Sequence, residues 1–146
     1  MNRRDGLKAI GMAAMMPMLL EREMLAGAPA GDEIGDETVY ELRTYHLNEG
    51  KQAGILERFR SKETKIFERV GMHGVAYWVP TDEPLAGRTL IYMLRHKSRE
   101  AAKESWAKFS ADPEWMALKT ETEKDGAFVK LHESTFMKLT EFSPKL

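Results

Sequence analysis

The segment from Thr38 to His46 constrains the fold most, because its side chains alternate as they do in a β-strand. One face carries Val39, Glu41, Arg43 and Tyr45, and the other carries Tyr40, Leu42, Thr44 and His46. Aromatic and aliphatic side chains occur on both faces. Both faces of the resulting sheet must therefore be covered by other parts of the protein or by a partner.

A helical pattern follows this strand. Asn48 can cap a helix that runs to about Val70 and carries apolar residues on one face, with Glu63 as the exception. Gly71 stands where a left-handed residue commonly ends a helix. A second strand is predicted over residues 72–79, and a loop over residues 81–87.

The second half of the chain repeats this order. A third strand is predicted over residues 88–96, Ser98 can cap a second helix, and Asp112-Pro113 can begin a third, short helix. Residues 128–131 can be extended, and the last strand is placed from residue 132 or 133 to residue 140. The order β-α-β-β-α-(α)-β predicts an α+β, ferredoxin-like fold with a four-stranded antiparallel sheet and helices on one face. The simplest partner that could cover the other face is a second copy of the chain, which predicts a homodimer.

The first thirty residues differ from the rest and are typical of an export signal. Charged residues with the pair Arg3-Arg4 precede an apolar run over residues 9–20, which is too short to span a membrane. The paired arginines, followed by Leu7 and Lys8, resemble a twin-arginine signal. Cleavage is expected after Ala30, which leaves Gly31 first, or after Ala28. We therefore predict a signal peptide over residues 1–30, a linker over residues 31–37 and one domain over residues 38–146, with an extracytoplasmic or periplasmic location.

The motifs of the domain resemble those of the NIPSNAP family, within the dimeric α+β barrel superfamily. The resemblance is carried by Tyr40-Glu41-Leu42-Arg43-Thr44-Tyr45, by a turn at Glu49-Gly50 into a helix and by a strand with Gly74 and Trp78. Asp112-Pro113-Glu114-Trp115 and the ending Phe142-Ser143-Pro144 complete it. These motifs extend over nearly the whole of residues 38–146.

The resemblance implies a dimeric α+β barrel but does not fix an activity. The leading hypothesis is a ligand-binding or interaction module that takes a small-molecule ligand. The alternative is a cofactor-independent, monooxygenase-like enzyme acting on a small aromatic or phenolic compound. Whether the chain is an enzyme is left open at this point.

The residues expected around a ligand pocket combine charge and aromatic character. They are Glu41, Arg43, Tyr45, His73, Trp78 and Arg95. In one interpretation Arg43 binds an anionic ligand beside the ring of Tyr45. In the other, which we favour, Glu41 and Arg43 form a structural ion pair on an otherwise apolar strand face.

Composition argues against several other functions. The net charge of −1 gives no support to nucleic acid binding, and the absence of cysteine excludes thiolate catalysis, disulfides and cysteine-based zinc sites. The four histidines lack the spacing of a metal-binding helix, so we expect no metal and no cofactor, and haem binding is the weakest hypothesis.

Replacing Arg3 and Arg4 together by lysine should trap an unprocessed, folded precursor in the cytoplasm, because a twin-arginine route requires both arginines. Cell fractionation with immunoblotting measures this, and the control is Arg22→Lys, which lies after the apolar run. Unchanged export and processing of the double variant would show that the twin-arginine interpretation is wrong.

Overall fold

The computed structural model describes residues 34–146 of the chain. The sequence-based predictions of an export signal and its cleavage site fall on residues 1–31, outside the described part. The elements of the described part are β1 (Val39–Leu47), α1 (Gln52–Arg58), a π-helical segment (Phe59–Glu63), α2 (Thr64–Arg69), β2 (His73–Trp78), β3 (Thr89–His96), α3 (Arg99–Ala111), α4 (Pro113–Thr122) and β4 (Val129–Met137). Within residues 34–146, no helix combines the length and apolarity needed to cross a bilayer.

The four strands form one antiparallel sheet in the order β2-β3-β1-β4. This order confirms the predicted ferredoxin-like α+β fold, with β1 in the interior of the sheet. The last strand begins at Val129, earlier than the predicted residue 132, and ends at Met137, before the predicted residue 140. The reason is its pairing with β1, which starts opposite Leu47 and finishes opposite Tyr40.

The first helix is continuous but changes its winding. Between α1 and α2 the backbone widens into the π-helical segment, where the Thr64 hydroxyl donates to the carbonyl of Phe59 at 3.0 Å. The prediction that Asn48 caps this helix is wrong. Its side-chain amide instead donates to the carbonyl of Ala127 at 2.8 Å, because the turn before α1 lies against the loop before β4.

The other predicted helix ends are confirmed. The Ser98 hydroxyl accepts a hydrogen bond from the amide of Ala101, and the Asp112 carboxylate accepts one from the amide of Trp115, each at 3.0 Å. Gly71 has a φ of 97°, a left-handed conformation that side chains other than glycine rarely adopt. These local signals fix where α2 ends and where α3 and α4 begin.

The helices pack on one sheet face and bury an aromatic core. Its members include Tyr45, Ile55, Phe59, Phe67, Tyr92, Leu94 and Phe109. The opposite face bears an apolar row in which Trp78 pairs with Ile91 and in which Ala76 and Leu42 flank Met93. None of the described helices packs on this second face, and Trp78 keeps 47% of its surface exposed.

Candidate functional site

A cavity of about 340 Å³ lies between the sheet and the helices α1, α3 and α4. This volume is at the lower end of the range for small-molecule sites. Aromatic rings form much of its wall, and charged side chains are distributed among them. The lining residues are Arg43, Tyr45, Arg58, Glu63, Trp106, Phe109, Ser110, Trp115, Lys119, Glu123, Ala127, Val129 and His132.

Glu41 lies beneath this cavity and is 1% exposed. Its carboxylate accepts four hydrogen bonds, and the donors are Arg43 Nη1 at 2.8 Å, Ser134 Oγ at 2.7 Å, His96 Nε2 at 2.8 Å and Trp106 Nε1 at 2.8 Å. Burial alone raises the pKa of Glu41, but these hydrogen bonds, led by that from His96, lower it to about 2. The carboxylate is therefore a fixed negative charge at neutral pH.

Arg43 joins Glu41 to the cavity. One guanidinium nitrogen is bonded to Glu41, and the guanidinium carbon lies 4.2 Å from the centre of the Trp106 ring. Its Nε is buried and has no hydrogen-bond acceptor among the described residues. Arg43 is thus oriented by an ion pair and a stacked indole, and its buried Nε is a donor for which no described residue supplies an acceptor.

Tyr45, in the cavity wall, forms a hydrogen-bonded pair with the fully buried Tyr92. The hydroxyl of Tyr92 donates to that of Tyr45 at 2.7 Å, and the two rings meet edge to face. Burial raises the pKa of both hydroxyls, and the charge of Arg43 only partly opposes this. Both tyrosines remain neutral at physiological pH and can serve as hydrogen-bond donors or acceptors.

A second charged cluster lies on the helical side of the cavity. Arg58 Nε donates to Glu63 at 2.7 Å, and its Nη1 donates to Glu123 at 3.0 Å. Arg58 also packs against the ring of Trp115, 4.9 Å from its centre. Burial raises the pKa of Glu63 to about 7, because Arg58 is shared with Glu123 and cannot fully offset the loss of water. Glu63 therefore changes its protonation state near neutral pH.

The structure brings three of the six sequence-predicted pocket residues together. Glu41, Arg43 and Tyr45 share the face of β1 that points to the helices. Arg95 lies opposite Tyr40 on the other face and donates to the carbonyl of Leu146 at 3.3 Å.

His73 and Trp78 lie away from the cavity as well. His73 is at the beginning of β2, where Nδ1 lies 3.2 Å from a carboxylate oxygen of Glu68. Trp78 is at the end of the same strand, on the face without helices. Only the residues of β1 among the six therefore contribute to the cavity.

Several residues at the cavity were not predicted as site residues. Glu63 and Arg58 come from the first helix and Trp106 comes from α3. His96, which does not line the cavity but bonds to Glu41, comes from β3. The signal for Glu63 was present, since it is the one carboxylate on an otherwise apolar helix face. Among residues 34–146, no three His, Asp or Glu side chains are grouped so that they could hold a metal ion.

Comparisons with known proteins agree with this fold. The family model described as NIPSNAP matches residues 40–144. No curated protein sequence matches the chain.

Solved structures share the architecture. A NIPSNAP-like domain protein from Burkholderia xenovorans superposes with a TM-score of 0.66 at 18% identity, over 77% of this chain and 93% of that one. A NIPSNAP family protein with unknown function from Agrobacterium tumefaciens gives 0.62 at 24%, over 74% and 93%. SnoaB, a cofactor-independent oxygenase from Streptomyces nogalater, gives 0.50 at 12%, over 75% and 99%. At these identities the structural similarity shows the fold alone.

Glu63→Gln should change how stability depends on pH. A carboxyl whose pKa is raised on folding binds more protons when folded, so stability falls as pH rises from about 4.5 to about 7. The predicted loss from this group is about 3 kcal/mol, and glutamine cannot contribute it. Urea unfolding across this range measures the difference between the native protein and the variant.

Glu123→Gln is the matched control for that measurement. It removes the other carboxylate bonded to Arg58 and leaves Glu63 in place, so a decline should persist, over a narrower pH range because Glu123 helps to raise the pKa of Glu63. Parallel stability curves for the native protein and Glu63→Gln would show that Glu63 does not titrate in this range.

Proposed function

The chain belongs to the NIPSNAP family, and we propose that it is a homodimeric ligand-binding module that holds a small aromatic anion in the cavity between its sheet and helices. The observation that carries this proposal is the position of Arg43. It lines the cavity, is stacked on Trp106 and has a buried Nε without an acceptor among the described residues. A planar anion can accept a hydrogen bond from such a group while its rings contact the aromatic wall.

The aromatic character of the ligand is inferred from the cavity wall. The rings of Tyr45, Trp106, Phe109 and Trp115 line the space. The rings of Phe109 and Trp115 are 4.4 Å apart between centres, so this part of the wall is already closely packed. A flat, rigid ligand loses little entropy on entering such a site.

The structural role of the Glu41–Arg43 pair is compatible with ligand binding. The nitrogen that bonds Glu41 is Nη1, so the ion pair leaves Nε unused. Glu41 has three further donors, which would still stabilise its charge if Arg43 were replaced. The domain should therefore remain folded without Arg43, at some cost in stability.

Two further parts of the proposal rest on different observations. Dimerisation is inferred from the apolar row on the sheet face without described helices, which a second copy would cover. Export is inferred from the sequence of residues 1–30 alone. Oxygenation without a cofactor remains the alternative, and the distant similarity to SnoaB does not favour it.

Arg43→Met should weaken the binding of 2-naphthoate by about tenfold to a hundredfold, the usual value of a charge-assisted hydrogen bond. Isothermal titration calorimetry at pH 6 measures the dissociation constant. The matched control is Arg60→Met, because Arg60 is an exposed arginine of the same protein that pairs with Glu57. The neutral 2-naphthamide should bind the native protein about as weakly as 2-naphthoate binds the variant. Equal affinity of 2-naphthoate for the native protein and Arg43→Met would refute anion binding at Arg43.

The protein should sediment as a dimer at micromolar concentration, and Ile91→Lys should make it a monomer. Lysine in the centre of the apolar row would bury a charge at the interface. Thr120→Lys, on the exposed surface of α4, is the control and should remain dimeric. A monomeric native protein would contradict the dimer.

A further inference from the structure

The charges around the cavity balance when every acidic group is ionised. The described cationic side chains that line it are Arg43, Arg58 and Lys119, and the carboxylates are Glu63 and Glu123 at the wall and Glu41 behind Arg43. Three positive charges thus meet three negative ones. An anion entering this site would leave one negative charge without a partner in a partly desolvated space, which is unfavourable.

Glu63 is the group at which this imbalance can be corrected. It is 1% exposed, lines the cavity and accepts one hydrogen bond, from Arg58. Arg58 keeps its contacts with Glu123 and Thr122 when Glu63 is neutral, so protonation of Glu63 leaves this arginine paired. Glu41 cannot take the proton, since four donors hold it as a carboxylate.

Titratable and charged groups face Glu63 from all the elements packed against it. They are Arg58 from α1, Glu123 from the end of α4, Arg43 and Tyr45 from β1, Tyr77 from β2 and Tyr92 from β3. Lys119 and His132 line the same cavity. Arg58 and Arg43 favour the ionised form of Glu63, and Glu123 favours the protonated form. The pKa of about 7 shows that these influences and burial leave both forms accessible near neutral pH.

We propose that the cavity takes up its aromatic anion together with one proton, which Glu63 accepts. The inference rests on the proposed function. The proton comes from solvent and forms an O–H bond on the Glu63 carboxyl, and no bond of the ligand breaks. Protonation leaves the cavity with one excess positive charge, which the ligand then neutralises. The site therefore selects monoanions, because a dianion would again leave one negative charge unbalanced.

The coupling can be measured as the pH dependence of 2-naphthoate binding. Between about pH 6 and pH 7 the dissociation constant should change little, and above pH 7 it should rise about tenfold per pH unit. 2-Naphthoate itself stays ionised throughout, so the change reports on the protein. Calorimetry in two buffers of different ionisation enthalpy should give an uptake of close to one proton per ligand at pH 8.

Two variants separate the coupling from binding itself. Glu63→Gln should bind 2-naphthoate with the same affinity across this range. Glu57→Gln, a change at an exposed carboxylate outside the cavity, should keep the decline above pH 7. A constant affinity in the native protein, with Arg43→Met still weaker, would overturn the coupling and leave the proposed function intact. Absence of 2-naphthoate binding by the native protein at pH 6 would overturn the proposed function and the coupling with it. A decline that persists in Glu63→Gln would assign the proton to another group and refute the role of Glu63.

Discussion

The buried carboxylate of Glu41 determines how the layers of this protein fit together. Its four donors come from β1, β3, β4 and α3, so a single side chain connects three strands of the sheet to a helix. A buried carboxylate without donors would be very unfavourable, and each of these elements must therefore be in place for the others to be stable. The indole N–H of Trp106 fixes how α3 lies on the sheet. The ring of the same residue then supports the guanidinium of Arg43, which sets the floor of the cavity.

The sequence predicts those parts of the fold that depend on neighbouring residues. Alternation in β1 and the caps at Ser98 and Asp112 are local properties, and the structure confirms them. Asn48 was misassigned because a cap and a loop contact require the same side-chain chemistry, and only the distant Ala127 decides between them. The beginning of β4 was placed too late for the same reason. Its pairing partner, Leu47, is far away in the sequence.

Of the candidate site, the sequence predicts only the residues that β1 contributes. Alternation alone places Glu41, Arg43 and Tyr45 on one face of β1. The position of Arg95 depends on the register between strands, and its register partner is Tyr40, on the opposite face. Trp106 depends on how α3 docks, which no local pattern encodes. Glu63 could have been recognised, because a carboxylate on an apolar helix face must be buried with a partner or face a cavity.

The number of hydrogen-bond donors explains why the buried carboxylates of Glu41 and Glu63 differ in pKa. Both are carboxylates, both are 1% exposed and each contacts an arginine. Burial raises the pKa of each, but Glu41 has four donors for its two oxygens, whereas Glu63 has one and shares its arginine with Glu123. The pKa is consequently about 2 for the first and about 7 for the second. The carboxylate of Glu41, at the floor of the cavity, is thus a permanent charge that orients Arg43. The carboxylate of Glu63, on the helical side, is a charge that protonation can neutralise. A site with only permanent charges would remain balanced without a ligand, and in our proposal the protonation of Glu63 is what would allow this cavity to accommodate an added anion.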